Sequence, residues 1–448
     1  RVGHIERNGI NPITLPMRHG TLGNIGSVWF AGNLSFTYLV IGAAVWSYGL
    51  SLAQGVLAIV IGLLSFILIG YLGLPGYASG LPTMAWSRSL FGTRGNVVVS
   101  LMAWLNMVGW ETVVLIISTY AVQTILVRMG HVAITPFSTL LSLALVAAAE
   151  LSIALLGHAT IERVQTIFSY VFGILTLAVL LAFLPHVHWD VLWQHPGGSW
   201  WSGMVPAVTI VVAVSALSWI TTASDYTRYL PGGLAPRRLV STAAWGSFAP
   251  TFLLMIGGLL LASTLPSLAD VINPVGILLH WLPAWAAIPY LVITIGGMIG
   301  GGILCAYSAG LSLLAAGVKV PRYRTIFIDG VVSLAAGSYI LLDAHHFIDS
   351  FEAFLEIVGA FLAPWAAIAI MNVSRTLKGS QPRSTAWWAM VSWLAGVLTA
   401  LLTTATSIFQ GPWAVGIFAQ SSLGYFLGFG VTFFLYGLGP RRRRVYAR

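Results

Sequence analysis

Residues 52–73 read LAQGVLAIVIGLLSFILIGYLG, twenty-two positions without one charged side chain. A helix of that length rises about 33 Å, enough to cross a hydrocarbon core of roughly 30 Å. The apolar residues run on without alternating, which excludes a barrel strand and leaves a membrane helix. The rest of the chain follows the same pattern. Of its 448 residues 58% are hydrophobic and only 7% charged, against roughly 25% charged in a soluble domain. So few charges cannot cover the surface of a water-soluble protein of this length, and a mean hydropathy of +0.88 agrees. Lipid is the expected solvent, and the fold class is all-α and polytopic.

Working outward, twelve spans are predicted, at about 24–50, 52–73, 97–127, 136–156, 161–184, 202–222, 239–264, 284–317, 327–342, 347–373, 385–407 and 415–438. The first, third and eighth exceed the length a span needs, which implies tilt or short flanking helices. The positive-inside rule tests the count independently. With the N-terminus in the cytoplasm, every basic residue except Arg128 falls in a tail or in a loop on the inner side. Both termini are therefore expected in the cytoplasm of a multi-pass cell-membrane protein. The organisation expected is a tail over 1–23, a transport core over 24–373, two further spans over 374–438 and a basic tail over 439–448. The tail from Arg1 to Gly23 lacks the charged-then-apolar pattern of a secretory leader. The formal charge of +9 reads as a topology signal, not as nucleic-acid binding. The single cysteine, Cys305, excludes an intrachain disulfide.

A charge at the bilayer centre costs roughly 2.5–3.5 kcal/mol, so an intramembrane carboxylate is a candidate site. Glu111 is the prime one, in Asn106-Met107-Val108-Gly109-Trp110-Glu111-Thr112 of span three. Gly109 leaves room beside the chain, Trp110 offers a ring face, and the carboxylate can accept N–H donors or carry a proton; the competing role is a structural carboxylate paired to another helix. Glu356 of span ten lies nearer the outer face, suited to a gate or a structural pair. Glu150 and Glu162, at the inner ends of spans four and five, are assigned structural roles. All histidines lie in tails, loops or span ends, including the outer loops around His186 to His195 and Asp343 to Asp349, which are read as solvated; an intramembrane metal is not expected. Span one, with Gly26-Ser27-Val28-Trp29-Phe30-Ala31-Gly32-Asn33-Leu34-Ser35, and span six, with Ser215-Ala216-Leu217-Ser218-Trp219-Ile220-Thr221-Thr222-Ala223-Ser224-Asp225, look interrupted. Unwound turns there would free carbonyls for a cation and helix ends for a polar solute. The first and sixth positions are where two five-helix repeats would each begin. In span eight, Gly296-Gly297-Met298-Ile299-Gly300-Gly301-Gly302 has small-xxx-small spacing and reads as a helix-packing surface.

Several stretches resemble the nucleobase–cation symporter family, in its cytosine/purine permease branch. They are Glu6-Arg7-Asn8-Gly9-Ile10-Asn11-Pro12-Ile13, Ser87 to Gly95, Ser218-Trp219 followed by Ala223 to Pro231, and Ala306-Tyr307-Ser308-Ala309-Gly310-Leu311-Ser312-Leu313. The resemblance implies a core of two inverted five-helix repeats plus two extra helices, with solute held near mid-membrane among spans one, three, six and eight. Hydantoin- and plant-type members carry Gly-x-Gln in span three, where this chain has Gly109-x-Glu111. By the same likeness Trp219 stacks on the solute, with Ser218 beside it, and Trp29, Phe30 and Asn33 come from span one. Glu111, with Gly32 and Ala306, is the candidate for cation coupling. Sodium-dependent members use hydroxyls in span eight where Ile303, Leu304 and Cys305 stand, so a proton is preferred over sodium.

The function expected is import of a nucleobase or related N-heterocycle by a cation-coupled carrier. The alternative is another small solute on the same fold: allantoin, a vitamin-like pyrimidine or an amino acid. No Ser/His or Asp/Asp constellation lies within the spans, so an enzyme is not expected. The expected partners are the small solute and the bilayer, with no nucleic acid and no cofactor besides the coupling ion, H+ or Na+.

Overall fold

The computed structural model describes residues 2–269, 271, 273–343 and 347–440. Among them nine helices are long and apolar enough to cross a bilayer, and the bent pair Leu22–Gly32 and Phe36–Ser47 makes a tenth span. Two shorter apolar helices, Ala386–Leu402 and Leu423–Leu438, bring the order to the twelve predicted. The only β-pairing among these residues is an isolated bridge between Ala405 and Gln410.

Span one is broken, as its composition suggested. Thr21 starts it by accepting the Asn24 N–H at 3.1 Å, with the Asn24 side chain returning to the Thr21 N–H. Helix ends at Gly32 and restarts at Phe36, where the Ser35 hydroxyl accepts from the Thr37 N–H; the halves bend by 60°. Span six, Trp200–Thr227, stays one rod but departs from α geometry three times, in π turns at Trp200–Met204 and Ala213–Leu217 and a 3₁₀ turn at Ile220–Thr222. Such irregularities inside a membrane helix mark places where the backbone lines a site.

Span three is longer than predicted because the segment expected as a loop, Ser87 to Gly95, is helical. Helix runs from Thr83 to Gly130 with one hinge at Gly92, whose φ of 71° a residue with a Cβ would resist. Span six also runs past its predicted end at 222. Asp225 is buried there because it accepts the Thr83 N–H at 2.8 Å and the Thr83 hydroxyl at 3.0 Å. A carboxylate of one span thus satisfies the otherwise unpaired start of another.

The glycine run of span eight packs three elements at once. A Cβ at Gly297 would strike the Leu34 carbonyl, and Cβ atoms at Gly300 and Gly301 would come within 3.1 Å of the Ala31 and Gly32 carbonyls. Gly296 accommodates the Phe172 ring of span five, and Gly302 the Glu150 carboxyl of span four. Backbone can approach this closely only where side chains are absent, so the break in span one lies directly against span eight.

Candidate functional site

The break of span one and the irregular turns of span six meet through a hydrogen-bond chain. The Trp219 indole N–H donates to the Tyr38 hydroxyl at 3.3 Å, and Tyr38 donates to Asn33 Oδ1 at 2.8 Å. The Asn33 amide donates in turn to the Trp29 carbonyl at 2.8 Å, a group that the end of the helix leaves available. Trp29 stands edge-on to Trp219, centroids 5.8 Å apart, and to Tyr226, 5.5 Å apart. Ser218 bridges the π turn by donating to the Ala213 carbonyl at 2.8 Å, and its own carbonyl accepts from the Asn106 amide of span three at 2.8 Å. Trp110 follows Asn106 by four residues and therefore shares its helix face. Trp219 is 7% exposed, whereas Trp29 and Asn33 are fully enclosed, so the Trp219 indole offers a flat guest ring surface that Trp29 does not.

Three polar groups at the breaks find no partner among the described residues: the Trp29 indole N–H and the hydroxyls of Thr37 and Thr221, all buried. Each unmade bond costs about 1–3 kcal/mol. A polar solute or ordered water held there would supply them.

Glu111 is placed differently from the sequence expectation. Five residues from Asn106 it is rotated by about 140° around the helix, onto the face that carries Trp104 two turns earlier. Its electrostatic neighbours are Asp329 and Ser333 of span nine and Glu150 of span four, not the indoles of spans one and six. Both its oxygens are buried without a hydrogen-bond partner among the described residues. Gly109, expected to leave room for the solute, instead accommodates the Phe354 ring of span ten.

Three further expected residues are also redirected. Phe30 is only half-buried and lies against Gly173 of span five, lining a groove on the periphery of the bundle with Ser169, Tyr170 and Trp245. Gly32 meets the Leu304 side chain, while Ala306, about 200° further around span eight, packs in an apolar cluster with Ala154, Ile326 and Leu151. The trio Glu111, Gly32 and Ala306 is therefore not brought together. Glu150, assigned to a span end, lies fully enclosed against Gly302. The Glu356 side chain and His345 and His346 lie outside the described residues.

The stretches that carried the family resemblance assemble a second structure, a latch over the face that holds the N-terminal segment. Glu6 accepts from Arg228 at 3.3 Å, Tyr229 at 2.7 Å, Tyr307 at 3.2 Å and the His158 N–H at 2.9 Å. Arg228, fully buried, also donates to the Gly9 carbonyl at 2.8 Å and to Tyr307 at 2.9 Å. Arg322 ties the Glu6 carbonyl to those of Ala154 and Leu155 at the end of span four. Burial drives the Glu6 carboxyl up, but Arg228 and Arg322, with the His158 N–H and the Tyr229 hydroxyl, more than offset it and hold the pKa at about 2. Arg88 closes the end of span eight on the Ala315 carbonyl at 2.7 Å. Beside the latch, ligand atoms of His19, His158 and Glu162 lie within 4.8 Å of one another, a spacing at which a divalent cation can be held. The latch was not anticipated from sequence, where Arg228 and Arg322 look like any other basic residues of the loops.

Comparison with known proteins gives three consistent results. The family model for permeases of cytosine/purines, uracil, thiamine and allantoin matches residues 12–428. The putative purine-cytosine permease YxlA of Bacillus subtilis is 28% identical over 457 residues, covering 96% of this chain and 95% of the relative. The purine-cytosine permease FCY2 of Saccharomyces cerevisiae is 24% identical, covering 81% and 70%. In fold, the chain superposes on Mhp1, a nucleobase-cation-symport-1 family transporter in a closed conformation with bromovinylhydantoin bound, with a TM-score of 0.71, 15% identity and coverage of 98% and 97%. A Na+-coupled sialic acid symporter in an outward-open state gives a TM-score of 0.68 at 14% identity, covering 96% and 93%.

Proposed function

This chain belongs to the family of permeases for cytosine/purines, uracil, thiamine and allantoin, and we propose that it imports a nucleobase or closely related nitrogen heterocycle by alternating access, driven by protons. It is a multi-pass membrane permease, not an enzyme. The observation that carries the proposal is the junction of the broken span one with the irregular turns of span six, where Tyr38 links Asn33 to Trp219 and Asn106 bonds Ser218, with part of the Trp219 ring left exposed. A planar base needs a ring to stack on and amide or hydroxyl groups for its edge; Trp219 and Trp110 supply the first, Asn106, Asn33 and the Trp29 N–H the second.

Sodium is disfavoured on chemical grounds. A hard cation wants several oxygens, yet span eight presents the Leu304 side chain to the Gly32 end of the break and sets Ala306 in an apolar cluster. The alternation of basic residues supports placing both termini in the cytoplasm, which makes the Glu6–Arg228 latch the inner closure. Inward release then requires that latch to part.

The test is uptake into vesicles of a panel of labelled bases with proton and sodium gradients imposed separately. Saturable uptake driven by the proton gradient, and competition by adenine or cytosine but not leucine, is the expected result. Uptake that follows leucine or an imposed sodium gradient alone would refute it.

A further inference from the structure

Three acidic residues lie inside the bundle, on the side of span three turned away from the indole cluster. Glu111 belongs to span three, Glu150 to span four and Asp329 to span nine, and none exposes its side chain. The sequence concealed two of them: Asp329 stood at the edge of a predicted span that in fact begins at Arg322, two turns earlier, and Glu150 looked like a helix-end residue. Span three reaches Asp329 through Trp104, two turns before Glu111 on the same face, whose indole N–H donates to Asp329 Oδ1 at 2.6 Å, and Glu111 interacts electrostatically with Asp329 on one side and Glu150 on the other.

Their surroundings offer almost nothing to an ionised oxygen. Asp329 Oδ1 accepts one bond, from the Trp104 indole N–H at 2.6 Å. Asp329 Oδ2, both oxygens of Glu111 and both of Glu150 make no hydrogen bond of normal geometry among the described residues, and the one donor facing Glu111 is the Ser333 hydroxyl. The titratable groups facing the three are one another and Cys305 of span eight; no Arg, Lys or His is among their electrostatic partners. Three uncompensated negative charges in a dry interior would cost several kcal/mol each, so something must neutralise them. A single metal ion does not fit, because the three do not close to the ligand spacing that His19, His158 and Glu162 reach. A serial arrangement of carboxyls, with Glu111 between the other two, suits a particle that hops between pairs.

We propose that Asp329, Glu111 and Glu150 form an intramembrane proton site, separate from the solute site and lying on the opposite face of span three. This rests on the permease assignment for its role but not for its existence. Span three then carries solute contacts, Asn106 and Trp110, on one face and the proton carboxyl, Glu111, on the other, so a rotation or shift of one helix changes both. Span eight runs between the two sites: its Gly302 receives the Glu150 carboxyl, while the Leu304 carbonyl and the Ser308 hydroxyl bond Tyr226 of the aromatic cluster. Gly302 is the notch that admits Glu150: a Cβ there would occupy the position of its carboxyl group. When solute arrives, a proton enters the carboxyl chain from outside; when the inner face opens, it leaves. No bond other than O–H is made or broken.

The test has two arms on the full-length protein. Infrared difference spectroscopy of the purified protein without solute, in H2O and D2O, reads protonated carboxyls directly. Wild type should show an exchangeable protonated-carboxyl band that weakens in Glu111→Gln, Glu150→Gln and Asp329→Asn, each folded as judged by an unchanged elution profile. A spectrum in which none of these substitutions alters that band overturns the proposal. In proteoliposomes loaded with a pH dye, Asp329→Asn and Glu150→Gln should retain counterflow exchange of labelled base while losing at least tenfold of base-induced proton entry; retention of proton entry in both variants also overturns it. If wild type exchanges no base, the permease assignment fails instead, and the infrared arm still decides the carboxyl site.

Discussion

Replacing Trp219 by alanine removes the indole that faces the junction of the broken spans. Stacking of a base on an aromatic side chain contributes about 1–3 kcal/mol, so the variant should bind its heterocycle roughly 5- to 150-fold more weakly at 1.4 kcal/mol per tenfold. Phenylalanine separates the two roles of the residue. It restores a ring face but not the N–H that donates to Tyr38 at 3.3 Å, a bond of about 0.5–1.5 kcal/mol, which leaves a residual loss of roughly 2- to 12-fold. The assay is equilibrium binding of labelled cytosine or adenine to purified protein, with thermal melting to confirm that each variant is folded. Alanine and phenylalanine variants should fall in that order below wild type. A folded Trp219→Ala protein that binds within twofold of wild type would show that the base sits elsewhere.

The latch carries a pH signature. Because the Glu6 carboxyl is depressed to about 2, its contribution is complete above the ordinary value of 4.5 and is lost only as pH falls through about 2. His19 shifts the other way: its hydrogen bond to Glu162 raises it above 6.5, against a desolvation penalty, so its contribution is present below 6.5 and is lost as pH rises through the raised value. The protection of residues 3–20 against hydrogen exchange, relative to the intrinsic rate at each pH, should therefore be constant from pH 5 to 6.5 and fall above it, and His19→Ala should abolish that fall while Glu6→Gln lowers protection at every pH. A fall that persists in His19→Ala would remove His19 from the latch. Gly297→Ala should lower the melting temperature, since its Cβ would meet the Leu34 carbonyl and overpacking costs about 1–3 kcal/mol; unchanged melting would mean that spans one and eight can part freely.

The spans were legible because each apolar window reports its own environment, and the basic residues report the loops between them. The breaks were legible too: Gly32-Asn33 and Ser215 to Thr222 combine small and polar residues where an uninterrupted helix would carry Leu and Ile. Which face a residue turns inward was not legible. Glu111 looked like a solute contact because Gly109 and Trp110 precede it, yet three consecutive residues point three ways, Gly109 to Phe354, Trp110 to the face of Asn106, and Glu111 to Asp329. Asp225 and Arg228 resembled loop charges because their partners, Thr83 and Glu6, lie more than a hundred residues away. Tertiary pairing removes the penalty that hydropathy assigns to such residues, and a window of twenty residues cannot register it.

A structure of the protein with cytosine or adenine bound addresses the site itself. The ring should lie against Trp219, within stacking distance of about 4 Å, with its edge toward Asn106 or Asn33 and with Glu111 still turned to Asp329. A base hydrogen-bonded to Glu111, or seated away from the break at Gly32 to Phe36, would contradict that arrangement.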